Sequence, residues 1–296
     1  MDDLIPLKDV FSKTEKRMKI VTLVDNRTQS ENLKTEHGLS LYIETDDNQK
    51  ILYDTGQSAL FMRNAQSLGI DLGEVDKVVI SHGHYDHIGG LLSFLKVNKT
   101  AKVYMNATIF DYEYFSLKKG VKKMNGFSPE LMYYRERFVL LDKNTTFDNL
   151  WLITDIDKRY AMPKGNAILY RQTRDVEELD KFEHELILVI ETTQGLCVFT
   201  GCAHNGVINI ATTVQSVIQR KQIHCLYGGF HLIDGKDYVK VETTDELTDI
   251  AHELTVLLPA ARFYTGHCTG SNAFNILKKS IGNRLHGFYV GKKVII

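Results

Sequence analysis

Within six consecutive residues, His82-Gly83-His84-Tyr85-Asp86-His87, the chain carries three imidazoles and one carboxylate, directly after the apolar run Val78-Val79-Ile80. The run reads as a buried strand, so four polar groups must leave one strand end together. Neighbouring imidazoles repel once protonated and bury poorly unless something holds them. Neutral imidazole nitrogen and carboxylate oxygen are also the ligands that zinc, iron and manganese accept. The segment is therefore read as a metal site.

Apolar spacing elsewhere predicts short strands alternating with helices. Strands are expected at Lys19 to Val24, Leu39 to Glu44, Ile51 to Tyr53, Lys77 to Ile80, Lys102 to Met105, Leu186 to Glu191, Leu196 to Thr200, Ile223 to Tyr227, Arg262 to Thr265 and Phe288 to Ile296. Val207, Ile210, Ala211, Val214, Val217 and Ile218 make one helical stripe. Leu247, Ile250, Ala251, Leu254 and Leu258 make another, opened by a cap at Thr243 or Thr244. Strands mixed with helices predict a layered α/β or α+β protein.

The 296 residues, 43% hydrophobic and 25% charged, suffice for one large domain. We expect a single domain over 1–296, since no Pro-, Gly- or Ser-rich linker divides the chain. A formal net charge of -1 favours neither nucleic acid nor an acidic membrane surface, and no run approaches the roughly 18 apolar residues that span a bilayer. The start, Met1-Asp2-Asp3-Leu4-Ile5-Pro6, lacks the basic and apolar parts of a secretory leader. Cys197, Cys202, Cys225 and Cys268 form no Cys-x-x-Cys pair, so a reduced, cytoplasmic setting is expected. The expected partner is a small-molecule substrate, with neither nucleic acid nor membrane; a homo-oligomer is compatible with this composition.

Between about Ala107 and Glu183 the periodicity weakens, and aromatic and basic residues such as Tyr112, Tyr114, Phe115, Lys118, Lys122, Lys123, Tyr133 and Arg135 accumulate. This segment, 107–183, is expected to be an insertion that covers a site mouth; the alternative is a peripheral subdomain packing its aromatics on the core.

Other chemistry lies at strand ends. Asp54 follows Ile51-Leu52-Tyr53 and precedes Thr55-Gly56. His204 lies in Gly201-Cys202-Ala203-His204-Asn205-Gly206, His231 in Gly228-Gly229-Phe230-His231, and His267 in Gly266-His267-Cys268-Thr269-Gly270. Each histidine follows an expected strand and one or more glycines, a layout that lets side chains of separate strands converge at one sheet edge.

Taken with Asp54 and the late histidines, His82-x-His84-x-Asp86-His87 resembles the metallo-β-lactamase superfamily, over approximately Lys19 to Ile296 outside the insertion. The Gly201–Gly206, Gly228–Leu232 and His267–Gly270 segments further resemble a branch of metal-dependent hydrolases that includes dihydropterin-ribofuranosylaminobenzene phosphate synthases. The resemblance implies an αββα sandwich of two mixed sheets, with one or two metal ions at a sheet edge, zinc foremost and manganese or iron as alternatives. It implies His82 and His84 on a first ion, and Asp86, His87 and His267 on a second. Asp54 would fix an imidazole tautomer. Cys202 stands where most members carry a bridging aspartate, and is read either as a thiolate ligand or as a small buried apolar residue. His204 is taken as the later ligand, His184 as a candidate for the earlier place, and His231 as a substrate contact or proton donor.

Such a centre lowers the pKa of bound water toward neutrality and supplies hydroxide. The expected catalytic residues are Asp86, His231 and Asp54. The leading function is a metal-dependent hydrolase using that hydroxide on a small, anionic or ring-bearing substrate. The alternatives are a transferase joining a reduced pterin to a ribofuranosylaminobenzene phosphate, and a non-hydrolytic metal-binding or redox descendant of the fold.

Overall fold

The computed structural model describes residues 17–235 and 239–296. The Met1–Pro6 start, read above against a leader, lies outside the described residues. The first half runs β1 (Lys19–Val24), β2 (Ser40–Glu44), β3 (Lys50–Tyr53), α1 (Leu60–Ser67), β4 (Lys77–Val79), α2 (Tyr85–Ile88), α3 (Leu91–Val97) and β5 (Lys102–Asn106). The middle contributes β6 (Glu113–Lys118), β7 (Val121–Met124), β8 (Phe138–Leu141), β9 (Thr145–Phe147), β10 (Leu150–Ile153), β11 (Leu169–Gln172) and β12 (Glu177–Leu179). The rest is β13 (Ile187–Thr192), β14 (Gly195–Thr200), α4 (Val207–Val217), β15 (Ile223–Gly228), α5 (Thr244–Leu257), β16 (Arg262–Thr265), α6 (Ser271–Ile281), β17 (Leu285–Gly287) and β18 (Lys293–Ile295).

These strands make two mixed seven-stranded sheets, ordered β18-β1-β2-β3-β4-β5-β8 and β17-β16-β15-β14-β13-β10-β9. Period-two alternation explains how they stack. On β1, Ile20 enters an apolar layer shared with Leu188, Ile190, Cys197, Phe199 and Tyr227 of the other sheet. Its neighbours Val21 and Leu23 turn outward onto Phe61 of α1 and Phe94 of α3. On β14, Cys197 and Phe199 face inward, while Leu196 and Val198 pack on Val214 of α4, Leu254 of α5 and Leu277 of α6. The result is the αββα sandwich, and the parallel strands β3-β4-β5 and β14-β15-β16 read as continuous apolar runs because both their faces are covered.

The expected strands are present, most within a residue of their expected bounds, except at the C-terminus. There Phe288 to Lys292 leaves the sheet, and only Lys293–Ile295 pairs with β1, after the short β17 that the spacing did not reveal. Thr243 caps α5 through its side chain on the Glu246 amide, and Glu246 reciprocates on the Thr243 amide. The 107–183 segment divides. Its β8 and β9 are edge strands of the two sandwich sheets and β10 lies just inside β9, while β12-β11-β6-β7 form a separate four-stranded sheet. Lys118 and Lys123 of that small sheet, Asn125 just after it, and Gly165, Ile168 and Leu169 line the site cavity. Among the described residues no helix is long and apolar enough to cross a membrane.

Candidate metal centre

Both sheets end at the same edge. β3 delivers Asp54, and β4 delivers Ser81 and the hexad, whose second half forms the single-turn α2. From the opposite sheet, β14 leads to Cys202 and His204, β15 to His231, and β16 to His267. Asp54, Ala203, His231 and His267 all hold positive φ, between 48° and 56°. Backbone held in that region is strained for L side chains and recurs where function fixes a side chain's aim. Glycine provides the necessary contact elsewhere: a Cβ at Gly201 would lie 2.1 Å from Ser81 Oγ, so only glycine lets β14 approach the β4 loop.

The imidazoles are oriented from behind. Asp54 Oδ1 accepts the Ser81 amide (2.7 Å), and Oδ2 accepts both Ser81 Oγ (2.7 Å) and His87 Nδ1 (2.6 Å). Because Ser81 Oγ donates to Asp54, it acts as acceptor toward His82 Nδ1 at 2.9 Å. One carboxylate thus places the proton on Nδ1 of two histidines, one directly and one through a hydroxyl. His204 receives the same treatment from Asn166, which donates its amide to the His204 carbonyl (2.8 Å) and accepts from Nδ1 (2.9 Å). Asn26 repeats the pattern at His267, with 2.9 and 3.3 Å contacts. The Nε2 lone pairs then face the interior.

There the four groups converge. His82 Nε2 and His204 Nε2 are buried without a partner, and with Cys202 Sγ they lie within 4.8 Å of one another. His87 Nε2 stands 3.1 Å from His267 Nε2 and 3.2 Å from Cys202 Sγ. Asp86 Oδ2 lies 3.3 Å from His267 Nε2 and 3.7 Å from His87 Nε2. The unpartnered Nε2 atoms of His82 and His204 are unfavourable alone and suit a cation, as does the mixed imidazole, sulfur and carboxylate set. The residues present therefore fit a divalent metal.

The electrostatics agree. Burial, then the neighbouring imidazoles, holds His82 well below its usual pKa, and burial with His231, His84 and His82 does the same to His204. Both rings are neutral, the form that binds metal. Burial opposes charge on Asp86, but His87, His267 and His37 outweigh it and keep the carboxylate ionised. Burial also disfavours charge on His267, yet Asp86, Cys268 and Asp25 push it up to about 9. Burial and the adjacent Cys268 raise the Cys202 thiol. Cys268, despite burial, is lowered by hydrogen bonds from Cys202 and His231 and by the charge of His267.

All six expected ligands, His82, His84, Asp86, His87, His204 and His267, meet at this edge, with His84 4.7 Å from His82 and 4.9 Å from His204 between ring centroids. Cys202 sits between the His82–His204 and His87–His267 pairs, and not in the apolar core. His184 is grouped with His84 and Asp180, their ligand atoms within 4.8 Å of one another, and not with His82 and His204. Its Nδ1 accepts the Gly83 amide (3.0 Å) and its Nε2 faces Asp180 (3.0 Å), so it braces the hexad from beneath. The His231 ring lies 4.2 Å from that of His204 at a tilt of 54°, both its nitrogens buried and unpartnered, beside the Cys268 sulfur that accepts its amide.

Several residues escaped the sequence. His37 reaches Asp86 Oδ2 at 3.1 Å from a loop without ligand spacing. Glu185 accepts the His204 and Asn205 amides at 2.8 and 2.9 Å, although in sequence it resembled any polar residue before a hairpin. Asn26, Asp180 and Asn166 likewise act through other residues, with no local motif. A cavity of ≈ 390 Å³ opens onto the centre, with Asn26, His37, Tyr85, Lys118, Lys123 and His231 in its wall.

Comparison with known proteins gives the same frame. Residues 34–165 match the sequence profile of the metallo-beta-lactamase superfamily. The 7,8-dihydropterin-6-methyl-4-(beta-D-ribofuranosyl)-aminobenzene-5'-phosphate synthase of Methanocaldococcus jannaschii is 27% identical over 87% of this chain and 89% of its own. A solved structure described as a metal-dependent hydrolase of the beta-lactamase superfamily is 28% identical, covers 94% of this chain and 99% of its own, and superposes with a TM-score of 0.78. A diphosphatase of the PhnP family, 14% identical over 95% of this chain and 97% of its own, shares the fold at a TM-score of 0.52. The chain's two sheets and its edge of converging histidines thus match the fold of the solved metal-dependent hydrolase, and residues 34–165 match the metallo-beta-lactamase superfamily.

Proposed function

We propose that the chain is a metal-dependent hydrolase acting on a small, anionic, ring-bearing substrate. The observation that carries this reading is the pair of buried imidazole groups, His82 with His204 and His87 with His267, that flank Cys202 from both sheets. His82, His84 and His204 would hold one ion, Asp86, His87 and His267 a second, and Cys202 would lie between them. Zinc suits this donor set best, with manganese and iron as alternatives. A divalent cation held there supplies Lewis acidity, polarising the bond under attack and acidifying water.

The protein's own groups do the rest. Asp54 and Asn166 lock three tautomers, so that no ligand has to lose an Nδ1 proton. Asp86 sits where it can accept a proton from the attacking water, and His231 faces the cavity as substrate contact or proton donor to the leaving group. Lys118 and Lys123 present ammonium groups for a phosphate or carboxylate, and Tyr85 offers a ring on which a heterocycle stacks.

The likeness to the archaeal synthase supports a second reading, transfer of a reduced pterin onto a ribofuranosylaminobenzene phosphate. The two separate cleanly. Protein loaded with zinc or manganese is assayed on aryl phosphate esters and diesters and on neutral lactones, and titrated with a fluorescent reduced pterin. We expect turnover of the anionic esters, lost on adding chelator. Cleavage restricted to neutral lactones overturns the substrate class; tight pterin binding without ester cleavage favours the transferase.

A further inference from the structure

A second pocket of ≈ 240 Å³, sharing no lining residue with the metal cavity, is built partly from the segments that carry His204 and His231. Its walls are apolar, built from Met162, Val207, Ile208, Phe230, Leu232 and Ile250. One wall carries a carboxylate with an unusual partner count. Glu242 is 9% exposed; its Oε1 accepts the Lys164 amide at 2.6 Å, while Oε2 is buried with no hydrogen-bond partner. A carboxylate oxygen enclosed among apolar side chains lacks the donors that water gave it in the unfolded chain. Backbone and side-chain donors of the described residues do not replace them.

Charge on the rim has the same sign. Glu246, Asp249 and Glu253 of α5 line the pocket, and Lys164, the one cation among its described lining residues, is already paired with Glu246 at 2.6 Å. A half-open apolar pocket with one unmatched anionic acceptor, under an acidic rim, is complementary to a compact cation with an apolar body. Phe230 and Tyr160 add ring surface for such a cation.

We infer that this pocket is a binding site for a small protonated amine bearing an aryl or alkyl group, whose ammonium donates to Glu242 Oε2 while its apolar body fills the space between α4 and α5. Neither a neutral molecule nor an anion satisfies both features. The site is separate from the substrate cavity and does not depend on the reaction catalysed there. It is not remote from it, however. Gly206 to Ile208 follow His204 by two residues, Phe230 immediately precedes His231, and Pro163 and Lys164 lead into Asn166, which holds the His204 ring.

The full chain is titrated with phenethylammonium and, as its uncharged counterpart, 2-phenylethanol, by calorimetry and by backbone amide shifts. We expect saturable binding of the amine, with shifts at Gly206–Ile208 and Phe230, and affinity for the alcohol lower by about tenfold. Glu242→Gln should abolish that preference, and Ile250→Trp, which fills the pocket, should abolish binding of both. Equal affinity for amine and alcohol overturns the inference. So do shifts confined to the metal cavity around His37 and His267, absence of binding, or wild-type affinity in both variants. Melting temperatures confirm that each variant is folded; should Glu242→Gln fail to fold, the alcohol comparison and Ile250→Trp still decide.

Discussion

At the scale of single residues, Asp54 exerts more control than its position outside the hexad suggests. It receives the Ser81 hydroxyl and the His87 ring on one oxygen, so its negative charge sets proton positions on two histidines at once. Replacing it by asparagine keeps the size but places an amide dipole where two donors now point. Asp54→Asn should weaken metal affinity by about 10- to 100-fold, the usual cost of losing an outer carboxylate. Competition against a chelator measures it; unchanged affinity would show that the tautomers are fixed by other means. Cys202 illustrates what residue type leaves open. A buried cysteine is a small apolar group in most cores, and only the placement of its sulfur 3.2 Å from His87 Nε2 assigns it to the centre.

At the scale of elements, the centre depends on strand ends that close on each other. Gly228 ends β15 with φ +149°, and a Cβ there would sit 1.9 Å from the Thr200 carbonyl oxygen of β14. Backbone cannot rotate away as a side chain does. Gly228→Ala should therefore cost about 1–3 kcal/mol, with part of the strain appearing as displacement of His231 and His204. Denaturant unfolding measures the cost, and the histidine ring signals the displacement; a variant as stable as the parent would mean that β14 and β15 are free to separate.

Much of this level was legible in the sequence. The alternation in β1 and β14 and the stripes of α4 and α5 are periodic, and the hexad is compact enough to be seen in six letters. The helices α1, α3 and α6 and the strand β17 were not recognised. α1, α3 and β17 are short, and their apolar positions become meaningful only once the sheet they cover is known, whereas α6 is as long as α4 and carries its own stripe of Ala273, Ile276, Leu277 and Ile281. The 107–183 segment was read as one insertion because β8 to β10 are three or four residues long, too short to register as strands of the main sheets. Residues that act at second hand, such as Asn26, Asn166, Asp180 and Glu185, stayed hidden for a different reason. Each is joined to its imidazole or loop by tertiary contact alone, and any polar residue can form such a contact.

For the whole molecule, the buried imidazoles couple folding to pH. His82 and His204 are held well below 6.5, so between that value and their folded pKa the unfolded chain binds protons that the folded one refuses. Their contribution is intact above about pH 6.5 and is lost as pH falls, by about 1.4 kcal/mol per unit for each ring. His267 has the opposite sign. Raised to about 9, its contribution is complete below about 6.5 and is lost as pH rises toward 9. Metal-stripped protein should consequently be most stable near neutrality and lose stability on both sides. Denaturant midpoints from pH 5.5 to 9 test this, and a flat profile would refute it.

The two sheets each bring part of the donor set, and the hexad lies more than a hundred residues before His204. During synthesis, the amino-terminal half alone can offer an ion no more than His82, His84, Asp86 and His87. The thiol and the remaining rings arrive only when β14, β15 and β16 have been made and docked. Tight capture of an ion is thus a late event that requires both halves of the sandwich, and a captured ion acts as a rivet between them, resisting their separation in proportion to its affinity.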